Sequence, residues 1–129
     1  MNYTKKMIGL DFETYAATDL IVNGLDNYVN CPFFRPLVAA VAYSDAGEIV
    51  TKSFDFVNDY AHELMLLKET LNNCIIVAHN AGFEQTVLKR MGINLPSESF
   101  IDSAVLARAA GAAGKLEAAA PQLLGGNKL

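Results

Sequence analysis

No apolar run in this 129-residue sequence approaches the roughly 18 to 20 residues needed to cross a bilayer, so no membrane segment is expected. The polar start Met1-Asn2-Tyr3-Thr4-Lys5-Lys6 leads straight into a short strand-like run and lacks the apolar core of a secretory signal. Cysteine is scarce too. Cys31 and Cys74 have neither metal-ligand spacing nor a disulfide pattern around them, which suits free thiols in a reducing cytoplasm. Positive charge is also short: 10 Lys and Arg against 14 Asp and Glu leave a net charge of −4, whereas phosphate binding ordinarily shows as a basic face. A nucleic-acid enzyme of this composition would need divalent cations at the phosphate, or a basic surface on neighbouring sequence.

Hydrophobic residues make up 52% of the chain and charged ones 19%, ample for one packed core, and 129 residues leave no room for a second domain. Met7 to Phe12 alternates as a strand, with Ile8, Leu10 and Phe12 on one face. Thr14 to Pro36 is broken by Gly24, Asn27, Asn30, Pro32 and Pro36 and reads as a long excursion with one helical turn around Asp19 to Tyr28. Leu37 to Tyr43 and Glu48 to Phe54 flank Ser44-Asp45-Ala46-Gly47 as a hairpin.

Asn58 or Asp59 caps an expected helix with the buried stripe Tyr60, Leu64, Leu67 and Leu71, and Cys74 to Ala78 is a short buried strand. Gly82 to Met91 is a helix stopped by Gly92. A brief extended stretch ends at Phe100-Ile101, Asp102 caps a helix over Ser103 to Ala110, and Leu116 to Leu124 suggests a last one. This order implies an α/β layer fold with a mixed sheet. A doubly wound nucleotide binder is disfavoured, because the turn after the first strand would be Gly-rich and here reads Asp11-Phe12-Glu13-Thr14.

Asp11 and Glu13 are two apart on a strand, so both carboxylates leave one face while Phe12 points to the other. Two such acids repel unless a cation joins them, and hard oxygen ligands favour Mg²⁺ or Mn²⁺. By itself such a pair more often marks a solvated strand end. Glu84 falls three, four and seven residues before Val87, Leu88 and Met91, on the stripe that faces the sheet. A lone carboxylate placed there needs a partner, although a position in the first helical turn also suits the helix dipole. Asn80 reads most simply as the cap of that helix, His79 as its neighbour, and Asp102 as the cap of the next.

Ile8-Gly9-Leu10-Asp11-Phe12-Glu13-Thr14 resembles the first motif of the DEDD (DnaQ-like) 3′-5′ exonuclease superfamily, and Ala78-His79-Asn80-Ala81-Gly82-Phe83-Glu84 resembles the second. Ile101 to Arg108 looks like the helix start that follows it. Asp19-Leu20, Gly24, Tyr28 and Pro32, with Glu rather than Asp closing the second motif, are similar to the N-terminal proofreading domain of bacteriophage-type family A DNA polymerases. The resemblance covers about Ile8 to Leu124. It implies a ribonuclease-H-like mixed sheet flanked by helices and a two-metal mechanism, with Asp11, Glu13 and Glu84 as catalytic residues holding two Mg²⁺ (or Mn²⁺) ions. It further implies Phe12, Thr14, Asn80 and Phe83 as contacts to the terminal nucleotide of a single-stranded DNA 3′ end, and a polymerase domain as partner, in the cytoplasm of a bacterial or phage-infected cell.

The superfamily completes its site with a Tyr or His shortly before a fourth carboxylate, some tens of residues past the position of Asp102. Here no Asp, His or Tyr follows Asp102, and Glu117 is the one remaining acid. The resemblance therefore implies a domain incomplete at its C-terminus. The alternative is a non-catalytic domain that keeps the fold to bind DNA ends or a partner protein.

Overall fold

The computed structural model describes residues 5–16, 20 and 24–111. Five strands form one mixed sheet in the order β3-β2-β1-β4-β5, with β1 Lys6–Tyr15, β2 Arg35–Asp45, β3 Glu48–Asp55, β4 Cys74–Ala78 and β5 Phe100–Asp102. The first three strands pair antiparallel and β1, β4 and β5 run parallel. Helices α1 Leu25–Val29, α2 Tyr60–Leu71, α3 Ala81–Arg90 and α4 Ser103–Ala109 lie in the connections, with a single 3₁₀ turn at Ser97–Ser99. This is the expected α/β mixed sheet flanked by helices, consistent with a ribonuclease-H-like fold. The expected helix over Leu116 to Leu124 lies outside the described residues, as does the beginning of the turn expected from Asp19.

Strand alternation decides which side of the sheet is covered. Ile8, Leu10 and Phe12 of β1, Ala39 and Val41 of β2, Phe54 of β3 and Ile76 of β4 form the core with Leu67 and Leu71 of α2 and Val87 and Leu88 of α3. The intervening residues Gly9, Asp11, Ala40, Ala42, Thr51, Ser53 and Val77 line an open hollow of about 400 Å³ on the opposite face. The stripe expected on α2 is shorter than the periodicity suggested. Leu67 and Leu71 are fully buried and Leu64 partly, but Tyr60, the first residue of the helix, is 42% exposed, with its ring against Phe56 at 6.0 Å.

β1 and β2 slip register between Glu13 and Thr14, since Glu13 pairs with Val38 and Thr14 with Pro36, leaving Leu37 as the extra residue. Pro36 has no N–H to give a ladder, and a bulge is where a strand tolerates that loss. The slip lies immediately after the two strand acids.

The hairpin between β2 and β3 closes more tightly than its four turn-forming residues required. Asp45 still pairs with Glu48, so the loop is Ala46-Gly47, both at positive φ (51° and 83°). That is the geometry of a two-residue hairpin turn whose twist matches the strands, but alanine is strained in it. Ala46→Gly should raise stability by about 0.5–1 kcal/mol, since the strain removed exceeds the added unfolded-state freedom. A higher urea midpoint with an unchanged m-value is the expected result.

Candidate active site

The parallel pairing of β4 with β1 runs from Lys6 opposite Cys74 to Gly9 opposite Val77, so the turn after β4 arrives beside the segment containing Asp11 and Glu13. In that turn Asn80 takes a left-handed conformation (φ 65°, ψ 60°), and α3 begins at Ala81. Glu84 therefore sits in the first turn of α3, on the face turned towards the sheet.

Its burial is nearly complete. Glu84 is 3% exposed, and its Oε2 has no hydrogen-bond partner among the described residues. Burial pushes the Glu84 carboxyl up to about 8, and the negative fields of Asp11 and Asp102 push in the same direction. A buried oxygen without a donor, in a negative field, has to be satisfied by a proton or a cation. The fold thus brings Glu84 within electrostatic reach of Asp11, as the strand face and helix stripe suggested.

Asp11 and Glu13 are both exposed and alternate with buried Phe12. Asp11 lines the open hollow together with His79 and Ser103, whereas Glu13 lies two residues further along β1, next to the bulge. Among the described residues no group of three His, Cys, Asp or Glu side chains is drawn together tightly enough to hold a metal ion as it stands. The acids converge on one end of the sheet without closing into a ligand set.

Asp102 has a larger structural part than a single helix cap. Its Oδ1 accepts from the Ala104 N–H at 2.9 Å, capping α4, and from the Asn80 N–H at 3.0 Å. Its Oδ2 accepts from the Ala81 N–H at 3.1 Å. Burial alone would raise its pKa, but the N–H groups of Asn80, Ala104, Ala81 and Val105 outweigh that and hold it below the usual aspartate value. One carboxylate therefore fixes the start of two helices. Asn80, expected to cap α3 with its side chain, makes no such bond; the left-handed backbone turns its N–H to Asp102 instead.

Of the expected nucleotide contacts, Asn80 is exposed and Thr14 and Phe83 are half-buried at the same end of the sheet. Phe12 differs. Its ring is 6% exposed and stacks on Phe56 at 6.4 Å, because strand alternation turns it into the core, so its side chain is not presented to a ligand. Tyr28, quoted in the resemblance without a site role, joins two of the expected contacts. Its hydroxyl is 2.7 Å from the Thr14 hydroxyl, and its ring lies 6.3 Å from that of Phe83. Its place in the resemblance was the available signal.

His79 also finds a partner in the structure, its Nδ1 lying 3.0 Å from the Ser103 hydroxyl. The pair ties the turn after β4 to the start of α4, beside Asp102.

No protein-family model matches the chain. It is 31% identical over 121 residues to a DNA polymerase of Bacillus phage SP02, a match that takes in 92% of this chain and 18% of that polymerase. The chain thus spans under a fifth of the length of the relative it matches.

Two outcomes follow from the carboxylates. A group whose folded pKa is raised gives stability that is full below its unfolded value and is lost as pH rises through the folded value, here between about 4.5 and 8. In chelator, Glu84→Gln should therefore gain on the parent chain with rising pH, reaching about 2 kcal/mol by pH 9, less than the full shift implies because solvent near the sheet end screens part of the field. Parallel denaturation curves at pH 5 and pH 9 check this. Asp102→Ala should cost about 2 kcal/mol or more, since the starts of both α3 and α4 lose their acceptor. Earlier amide exchange in both helices, not in α4 alone, is the accompanying mark.

Proposed function

We propose that this chain belongs to a metal-dependent 3′-5′ exonuclease domain that removes nucleotides from DNA 3′ ends, serving a DNA polymerase as its proofreading function. The observation that carries the reading is Glu84, a buried carboxylate with an unpartnered oxygen facing the field of Asp11. A core position that keeps such a group without a donor is costly unless a ligand repays it. The similarity to a phage polymerase over nearly the whole chain supports the same reading.

In this proposal Asp11, Glu13 and Glu84 hold Mg²⁺ or Mn²⁺, and the donor set suits such ions, being hard carboxylate oxygens with one already desolvated. When bound, the ions supply Lewis acidity and a water of lowered pKa at the scissile phosphate. The chain's own contribution is positional. Asp102 fixes the first turn of α3 and so the depth of Glu84, while β1 fixes the spacing of Asp11 and Glu13. Asn80, Thr14 and Phe83 present polar and aromatic surface at that end of the sheet for the terminal nucleotide, with Tyr28 bracing the last two. The net charge of −4 makes cations at the phosphate more necessary, since the protein itself offers no excess of positive charge.

A second reading, a domain that binds DNA ends or a partner protein without cutting, is favoured by the fact that no three metal-ligating side chains are gathered among the described residues. Two measurements separate the readings. Mg²⁺ or Mn²⁺ should raise the melting temperature of the parent chain, and Asp11→Ala and Glu84→Gln should each abolish the rise. In a form extended through the last motif of the resemblance, nucleotide release from the 3′ end of a labelled single strand in Mg²⁺ should fall at least about 100-fold in Asp11→Ala, whereas the 129 residues alone should release little. DNA binding with no metal-dependent melting shift and no nucleotide release from the extended form would replace the exonuclease by the binding domain.

A further inference from the structure

On the covered side of the sheet, away from the hollow that contains Asp11, Phe34, Arg35, Pro36, Phe56, Val57, Tyr60, Arg90 and Met91 line a separate cavity of about 280 Å³. Its floor is built from the buried residues Phe34, Pro36, Phe56 and Met91, and its rim from the exposed Arg35, Val57, Tyr60 and Arg90. The bulge in β2 produces this arrangement. By pairing Pro36 with Thr14 and Arg35 with Tyr15, it carries the start of β2 past the sheet end and sets Arg35 at the rim. Arg90 comes from the last residue of α3 and is anchored by its Nε, which donates to the Val29 carbonyl at 3.0 Å.

Two exposed arginines and an exposed tyrosine around one cavity are a specific chemistry. Guanidinium groups take phosphate oxygens in paired hydrogen bonds, and aromatic faces stack on heterocyclic rings. Among the described residues neither arginine has a carboxylate partner. The acids flanking the cavity in sequence are committed elsewhere: Asp55 accepts from the Val57 N–H at 2.9 Å and from the Asn58 amide at 2.6 Å, and Asp59 caps α2 by accepting from the His62 N–H at 3.3 Å. The rim thus carries two arginine charges next to the carboxylates of Asp55 and Asp59, and Arg90 also borders the pocket that Asp26 lines. At about 280 Å³ the cavity is at the small end of ligand pockets, so it takes nothing larger than a single nucleotide and no folded partner.

We infer that this cavity is a binding site for one nucleoside monophosphate unit, the base lying against the exposed ring of Tyr60 and the phosphate held by Arg35 and Arg90. The site lies on the covered face, beside Thr14 and Tyr15, whereas Asp11 lines the hollow on the opposite face, and it stands whether or not the carboxylates cut DNA. Phe56 nevertheless touches both regions, since it stacks on Phe12, the residue between Asp11 and Glu13.

The test is a titration of the chain with deoxyadenosine monophosphate in chelator, followed by amide NMR, with deoxyadenosine and inorganic phosphate as separate probes. The expected result is saturable shifts centred on Phe34, Phe56 and Val57, with both partial probes at least about tenfold weaker than the monophosphate. Arg35→Gln, an exposed position whose loss leaves the core intact, should weaken binding at least about tenfold, and Asp11→Ala should leave it unchanged. Overturning results are no shift at about 10 mM ligand, equal binding in Arg35→Gln, equal binding of either partial probe, or loss of binding in Asp11→Ala.

Discussion

The Asp102 carboxylate is the constraint on which this end of the molecule depends. Helix starts leave backbone N–H groups without partners, and here two helices begin side by side at the ends of two parallel strands. One aspartate, placed by the pairing of Ala78 with Asp102, receives donors from both. The depth and rotation of α3 follow from that connection, and with them the position of Glu84. The negative charge that caps the helices also adds to the field that disfavours an ionised Glu84. Structural anchorage and the electrostatics of the candidate site are therefore produced by the same group.

Most of the fold was legible because it rests on short-range periodicity. The alternation of Ile8, Leu10 and Phe12, the turn residues of the hairpin, and Asp59 and Gly92 at helix ends are local signals, and the structure follows them. The errors are where non-local geometry decides. Tyr60 fits the helical stripe but, as the first residue of its helix, stays exposed, and Asn80 has the chemistry of a cap while its left-handed backbone hands that role to a residue 22 positions away. The bulge at Leu37 could not be read from composition, since Pro36 indicates only that regular pairing must fail somewhere near it.

The candidate site divides in the same way. That Asp11 and Glu13 share a face follows from a two-residue period, and that Glu84 turns inward follows from its spacing to Val87 and Leu88. Phe12 was assigned to ligand contact by motif, yet the alternation that exposes its two neighbours requires its ring to enter the core. The bracing role of Tyr28 is not legible in the sequence because its partners Thr14 and Phe83 are far away in sequence and meet only when α1 packs beside β1 and α3.

The hairpin has a consequence for how copies of this chain meet. In the described sheet β3 is an edge, eight residues long, with Ile49 73% exposed upon it, the sort of strand that invites pairing with another molecule. Two β3 strands laid antiparallel in full overlap would set Glu48 of each against Asp55 of the other, with like charges opposed at both ends of the ladder. Shifting the overlap to avoid this forfeits backbone pairs. The same acids that leave the molecule short of positive charge thus guard its exposed edge against self-association, most strongly at low salt.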